Sequence, residues 1–248
     1  MGERTAVNPN DFIAGKEIMQ ALILAAGQGK RMNSTLPKAL LTIGGVSLIA
    51  RQIKQLRALS IEQITVVLGY KADDVRNHIK TPNVKFCLNE NYQHTDNLFS
   101  FHLGVKDFAD DCLMLHCDLI AENDLIKTVF NSPGDMVLPL DKSSISKESM
   151  KIMIENGIIK HIQKDLPLIS AAGESVPLMK FSRFALKALK KEMKAFTSYY
   201  NQTIYLENAI MNTIRNGAVE PVILDITGYK WAEIDTPEDY VSAKVIFE

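Results

Sequence analysis

Residues 22 to 38 read L-I-L-A-A-G-Q-G-K-R-M-N-S-T-L-P-K, an apolar run followed by two glycines and then by Lys30, Arg31 and Lys38. Glycines behind an apolar run let another group approach the backbone closely, and successive N–H groups there can converge on an anion. Arg31 offers a planar fork to phosphate oxygens, Lys38 offers a mobile point charge, and Pro37 fixes the chain direction just before Lys38. Lys30 suits solvent as well as it suits a phosphate. Two carboxylates form a second group. Asp118 closes the apolar run C-L-M-L-H-C at 112–117, the strand end at which open α/β sheets bind ligands. Asp235 lies in W-A-E-I-D-T-P-E-D-Y, where Thr236, Pro237 and Asp239 make a helix start without it. Each carboxylate follows an apolar run and precedes a helix start, as expected of two neighbouring strands of one sheet. Two unpaired carboxylates held that close repel, so one of them is expected to have a raised pKa until a cation joins them.

The loop is neither of two common phosphate loops. G-x-x-x-x-G-K-[ST] does not occur, and G-x-G-x-x-G matches at Gly27 and Gly29 but meets Met32 at its third glycine. The longer string L-A-A-G-x-G-x-R-M, followed within ten residues by P-K and then by I-G-G-V-S-L-I, resembles the signature of the nucleotidyltransferases, MobA-like NTP transferases with a glycosyltransferase-A-like sheet. The resemblance implies that Ala25, Ala26, Gly27, Gly29, Arg31 and Lys38 bind the nucleotide. It also implies that Arg31 and Lys38 act on its phosphates in catalysis, and that Asp118 and Asp235 hold a catalytic Mg²⁺. Hard carboxylate and phosphate oxygens are the ligands that Mg²⁺ prefers.

The stretch N-E-N-Y-Q-H-T-D-N-L-F-S-F at 89–101 places Thr95, Asn97 and Ser100 in a pattern similar to that of cytidylyltransferases acting on phosphocholine, aminoethylphosphonate and related headgroups. That similarity implies CTP, with Asn97 and Ser100 at the base, although the same groups can cap a helix starting there. His94 and His102 read as surface or packing residues. Y-L-E-N-A-I at 205–210 resembles the family's acceptor-side stretch, which makes Glu207 the leading acceptor candidate. Tyr205, Asp141, Glu174, Tyr199 and Tyr200 stand beside it, since acidic groups with aromatic faces suit an amine or a quaternary ammonium. The family's G-E-x-I-G-I is G-E-S-V-P-L here, with Pro177 in place of a glycine.

The implied reaction is transfer of CMP from CTP to a small phosphorylated or phosphonate headgroup, with release of pyrophosphate. Such an in-line displacement needs positioning and charge neutralisation and no protein nucleophile. A sugar-1-phosphate uridylyl- or thymidylyltransferase is the nearer alternative, and a non-catalytic nucleotide-binding protein the more distant one.

Elements that alternate short apolar runs with helical patterns must position these residues, which implies βαβ units. Strands are expected at 19–25, 63–68, 84–88 and 112–117, and helices at 46–58, 72–79 and 97–108. Later strands are expected at 136–140, 151–155, 158–163, 176–181 and 221–226, with Asn156-Gly157 as a hairpin turn. Helices are expected at 183–194, at 206–216 and from Pro237. The fold class is α/β, a mixed, mostly parallel Rossmann-like sheet flanked by helices. A single domain of residues 19–248 is expected, with a small acceptor-binding lid sub-lobe at 136–216.

Residues 1–18 read as an N-terminal extension, a surface arm or packing segment. They lack the apolar core of a secretory signal, and Ala6 stands where a myristoylation signal needs Ser or Thr. The net charge of −1 gives no general attraction for polyanions, so the local cations have a local purpose and no nucleic-acid partner is expected. No apolar run reaches the roughly 20 residues that span a bilayer, and a cytoplasmic setting without membrane contact is expected. Cys87, Cys112 and Cys117 lack metal-type spacing and read as reduced thiols. A homodimer is left open.

Overall fold

The computed structural model describes residues 19–143, 145–197 and 204–248. The extension 1–18 and the residues Tyr199 and Tyr200 lie outside them. In chain order, β1 (Met19–Ala25) is followed by the small hairpin β2 (Thr42–Ile43) and β3 (Val46–Ser47), then α1 (Leu48–Ala58), β4 (Gln63–Leu68) and α2 (Ala72–His78). Next come β5 (Val84–Leu88), α3 (Asn97–Gly104), β6 (Asp111–His116), β7 (Leu119–Ala121), α4 (Asn123–Asn131) and β8 (Met136–Asp141). β9 (Lys151–Glu155), β10 (Ile158–Gln163), β11 (Gly173–Ser175), β12 (Leu178–Phe181) and α5 (Arg183–Thr197) follow. α6 (Leu206–Arg215), β13 (Pro221–Asp225), β14 (Trp231–Glu233) and α7 (Pro237–Phe247) complete the chain.

One ten-stranded sheet runs in the order β10-β9-β11-β8-β12-β6-β1-β4-β5, with β13 beside β8. It is mixed. β6, β1, β4 and β5 are parallel to one another, whereas β12 runs antiparallel between β6 and β8 and opens an antiparallel region through β11, β9 and β10. β1 sits inside the parallel block and is buried on both faces, as its continuous apolar sequence requires. Its side chains alternate between two cores. Leu22 and Leu24 pack with Phe101, Phe181, Leu206 and Ile210 from α3, β12 and α6. Ala21, Ile23 and Ala25 pack with Ile49, Ile53 and Leu125 from α1 and α4.

Several boundaries differ from the sequence expectation for local reasons. α1 starts at Leu48 rather than residue 46, because the Ser47 hydroxyl accepts from the Ala50 N–H at 3.3 Å and caps it. α3 ends at Gly104, where a Cβ would stand 2.4 Å from Leu22 Cδ1, so the helix meets the sheet at a residue without a side chain. The strand expected at 176–181 is β12, which starts only at Leu178 after Pro177, and the short β11 precedes it at Gly173–Ser175. β7 and β14 form a separate two-stranded sheet that the sequence reading lacked. Cys112 and Cys117 are buried free thiols and Cys87 is a half-buried one. No helix among the described residues is long and apolar enough to cross a membrane.

Candidate active site

The C-terminal ends of β1 and β6 open into a cleft of about 230 Å³. Ala26, Gly27, Gly29, Arg31 and Lys38 line it beside Asn97, Ser100, Asp118, Glu207 and Asp235. β1 ends at Ala25, itself buried. Gly29 then takes φ +62°, in the left-handed region. A Cβ there would stand 2.8 Å from Lys38 Cε, so Gly29 both turns the loop and lets the Lys38 stem pass over it. A short helical turn at Lys30–Met32 follows, anchored by Met32 in a small core with Ile43, Leu48, Ile120 and Ile234. Arg31 is thereby turned toward the cleft, whereas Lys30 is exposed and not among the residues lining it.

Lys38 is the centre of the charge cluster. Its ammonium donates to Asp118 Oδ2 at 3.0 Å and to Asp235 Oδ1, while Arg31 Nη2 donates to Asp235 Oδ2 at 2.6 Å. Burial by itself would lower the Lys38 pKa, but attraction to Asp118 and Asp235 outweighs it and holds the ammonium above its ordinary range. Burial would raise the Asp235 carboxyl, but Lys38 and Arg31 hold it below the ordinary carboxylate value. The two aspartates are therefore not the unpaired, mutually repelling pair the sequence suggested, because a lysine lies between them.

Nor do they come from two strands of the main sheet. Asp118 follows β6 and precedes β7, and Asp235 follows β14. β7 and β14 pair with Leu119 opposite Glu233, and the Ile234 N–H donates to the Asp118 carbonyl at 3.0 Å. This small ladder brings together carboxylates 117 positions apart. Thr236 caps α7, and Asp239 accepts from the Asp235 and Thr236 N–H groups at 3.1 and 2.8 Å, which leaves the Asp235 carboxylate for the cleft.

The raised carboxyl belongs to Glu233, a residue the sequence reading passed over. Burial, then repulsion from Asp118 and Asp235, pushes it up to about 8. Its signal was its position two residues before Asp235 on an extended segment, which places both on one side of the chain. His116, Asp118 and Glu233 bring ligand atoms within 4.8 Å of one another, and Asp118 Oδ1 is buried with no hydrogen-bond partner. Two hard carboxylates and an imidazole make a donor set that fits a divalent metal ion, and Asp235 is not one of the three.

The segment expected to meet the base is held by another unforeseen residue, Asn89. Its amide donates to Thr95 Oγ1 at 3.1 Å and to Ser100 Oγ at 3.0 Å. Asn97 lines the cleft, but its Oδ1 accepts from the Leu206 N–H at 2.8 Å, so it joins the start of α3 to the start of α6. Glu207 and Tyr205 reach the cleft on α6 and at its N-cap. Asp141 and Glu174 do not line it. Asp141 is buried and occupied by Trp231 Nε1 at 2.7 Å and by the N–H and hydroxyl of Ser143. Glu174 sits on β11 opposite Lys151, its carboxyl raised by burial. Lys164 and Ser175 do line the cleft, and Lys164 Nζ lies 5.6 Å from the centre of the Tyr205 ring. Ser175 Oγ and Glu207 Oε2 are buried and unpartnered.

Comparison with known proteins places this geometry among relatives. The model of the MobA-like NTP transferase domain matches residues 21–195. The bifunctional IPC transferase and DIPP synthase of Rubrobacter xylanophilus is 27% identical over 237 residues, 93% of this chain and 52% of that protein. Its namesake in Aquifex aeolicus is 27% identical over 231 residues, 90% of this chain and 50% of that protein. The chain thus spans about half the length of these curated relatives. Among solved structures, the inositol-1-phosphate CTP transferase from T. maritima superposes with a TM-score of 0.72 at 20% identity, covering 93% of this chain and 97% of that one. The CTP:phosphocholine cytidylyltransferase from Streptococcus pneumoniae gives a TM-score of 0.72 at 21% identity over 93% and 99%. At these identities the two structures establish the shared fold.

Proposed function

The chain belongs to the MobA-like NTP transferase domain family and is a nucleotidyltransferase, and on that premise we propose that it transfers CMP from CTP to a small phosphorylated or phosphonate headgroup. The observation that carries this reading is the meeting of Arg31, Lys38, Asp118 and Asp235 in one cleft beneath the glycine loop. Two solved structures of the same fold, one named a CTP transferase and one a CTP:phosphocholine cytidylyltransferase, support CTP as the donor.

In the proposed reaction an oxygen of the acceptor phosphate or phosphonate attacks the α-phosphorus of CTP. A new P–O bond forms, the bond from the α-phosphorus to the bridging oxygen breaks, and pyrophosphate leaves with that oxygen's electron pair. Ala25, Ala26, Gly27 and Gly29 supply the backbone against the triphosphate, and Arg31 and Lys38 neutralise its charge. Asp118 and Asp235, with Glu233 beside them, would hold Mg²⁺. When bound, that ion supplies positive charge to phosphate oxygens. Asn89, Thr95 and Ser100 form a rigid polar wall for cytosine. Residues 19–248 act as one unit in the cytoplasm, with the acceptor side at 136–216.

Lys164 is the proposed partner of the acceptor's own phosphate, since it lines the cleft and its charge acts on Glu233 and Asp235. Glu207 Oε2 asks for a hydrogen-bond donor and the Ser175 hydroxyl can either give or accept a bond, because unpaired buried polar atoms are costly. Aminoethylphosphonate or a similar amine meets that demand with N–H groups. Phosphocholine has none. The test is Mg²⁺-dependent pyrophosphate release with each of CTP, UTP, dTTP, ATP and GTP against aminoethylphosphonate, phosphocholine, inositol 1-phosphate and glucose 1-phosphate. Turnover confined to UTP or dTTP with glucose 1-phosphate would replace this reading with the sugar one, and no turnover would favour a non-catalytic protein.

A further inference from the structure

Lysines on strands usually carry their ammonium out to water. Lys151, the first residue of β9, is only 1% exposed. Its ammonium is met by three backbone carbonyls, those of Lys147 at 2.8 Å, Ser149 at 3.0 Å and Lys164. An ammonium has three N–H donors, so its capacity matches that cage. A buried charge is tolerated only when so satisfied, which means the three carbonyls are held where the ammonium needs them.

What the cage holds is two residues that line the cleft, Glu148 and Lys164. Two of the carbonyls flank Glu148, a cleft residue whose carboxylate lies 3.5 Å from Arg31 Nη1. The third belongs to Lys164 itself. β9 lies between β10 and β11, with Lys151 opposite Gln163 on one side and Glu174 on the other. The ammonium therefore ties the turn before β9 to the first residue beyond β10.

The geometry points to Lys151 as a positioning residue for the acceptor, fixing the backbone of Lys164 and of the 147–149 turn from inside the sheet. This rests on the reading that Lys164 meets the acceptor's phosphate. The test is steady-state kinetics with CTP and aminoethylphosphonate on wild type, Lys151→Met, Lys164→Ala and the double variant. Lys151→Met should raise the acceptor KM about tenfold, the size of one lost charge-assisted bond, while the KM for CTP rises by a smaller factor through the exposed Glu148–Arg31 pair. The double variant should be no worse than Lys164→Ala, because the first residue acts through the second. Lys151→Gln, whose amide keeps two N–H donors on a shorter arm, should fall between wild type and Lys151→Met and guards against a variant that does not fold. Additive losses in the double variant, equal rises in both KM values, or failure of both Lys151 variants to fold would overturn the assignment. If wild type turns over none of the acceptors, the proposed function falls instead, and amide exchange still decides the cage. Faster exchange across 147–149 and 164 in Lys151→Gln supports it, and unchanged exchange overturns it.

Discussion

Replacing Lys38 with Met should make the protein bind a divalent cation without nucleotide. In the resting cleft the Lys38 ammonium lies between Asp118 and Asp235, on the carboxylates that the metal needs. An ion arriving alone must displace it. At 3.0 Å and an effective dielectric of about 20, each ammonium–carboxylate attraction is about 5 kcal/mol. Desolvation of a lysine that is only 9% exposed cancels most of that sum. A net of about 2 kcal/mol remaining corresponds to about thirtyfold in metal affinity. The variant should also lose roughly 3 kcal/mol of metal-free stability, since it leaves the half-buried Asp118 carboxylate unpaired and Asp235 with Arg31 alone. Titration with Mn²⁺, following the free ion by electron paramagnetic resonance, and thermal melting with and without Mn²⁺ measure both effects. The reasoning predicts weak binding to wild type unless CTP is present to draw Lys38 onto phosphate, tight nucleotide-independent binding to Lys38→Met, and a larger Mn²⁺-induced rise in Tm for the variant. Equal Mn²⁺ affinity in the two proteins without CTP would refute it.

Gly29→Ala should cost about 1–2 kcal/mol of stability, from its left-handed φ and a Cβ 2.8 Å from Lys38 Cε, and should lower kcat by displacing Lys38; urea unfolding and initial rates check both. Glu233 holds a proton in the folded protein up to about pH 8, while its ordinary value is 4.5. In that window the native state binds more protons than the unfolded chain, so metal-free stability should fall as pH rises from 4.5 to 8, and Glu233→Gln should flatten the fall in a pH series of melts. Asn89→Ala should raise the KM for CTP about tenfold by releasing the buried Ser100 hydroxyl and the half-buried Thr95 hydroxyl, with little effect on the acceptor KM.

The strands and their order of appearance were legible because burial on both faces writes continuous apolar runs, as in Met19–Ala25 and Asp111–His116. The cap at Thr236 and the turn at Asn156-Gly157, whose two residues take φ of 53° and 76°, were legible because their chemistry is local. The glycine loop and both aspartates stood out for the same reason, each being a short string with a mechanism. What the sequence hid depends on contacts between distant positions. β7 and β14 are three residues each, too short for a period, yet their pairing brings Asp118 to Asp235. Asn97 carries no mark of its bond to Leu206, 109 positions away. Lys151 looks like any surface lysine on a strand, and only the fold turns it inward. Asp141 looked free as a lone carboxylate and is instead taken up by Trp231.

The central claim is that this cleft joins a CMP unit to a phosphorus-bearing acceptor. ³¹P NMR of the protein with CTP, Mg²⁺ and aminoethylphosphonate tests it most directly, because it sees both phosphorus partners at once. The account predicts loss of the CTP resonances with equimolar growth of pyrophosphate and of a coupled pair from a new phosphonate–phosphate anhydride, abolished by EDTA and in Asp118→Asn. Release of inorganic phosphate without that pair, or CTP that persists through every acceptor tried, would contradict it.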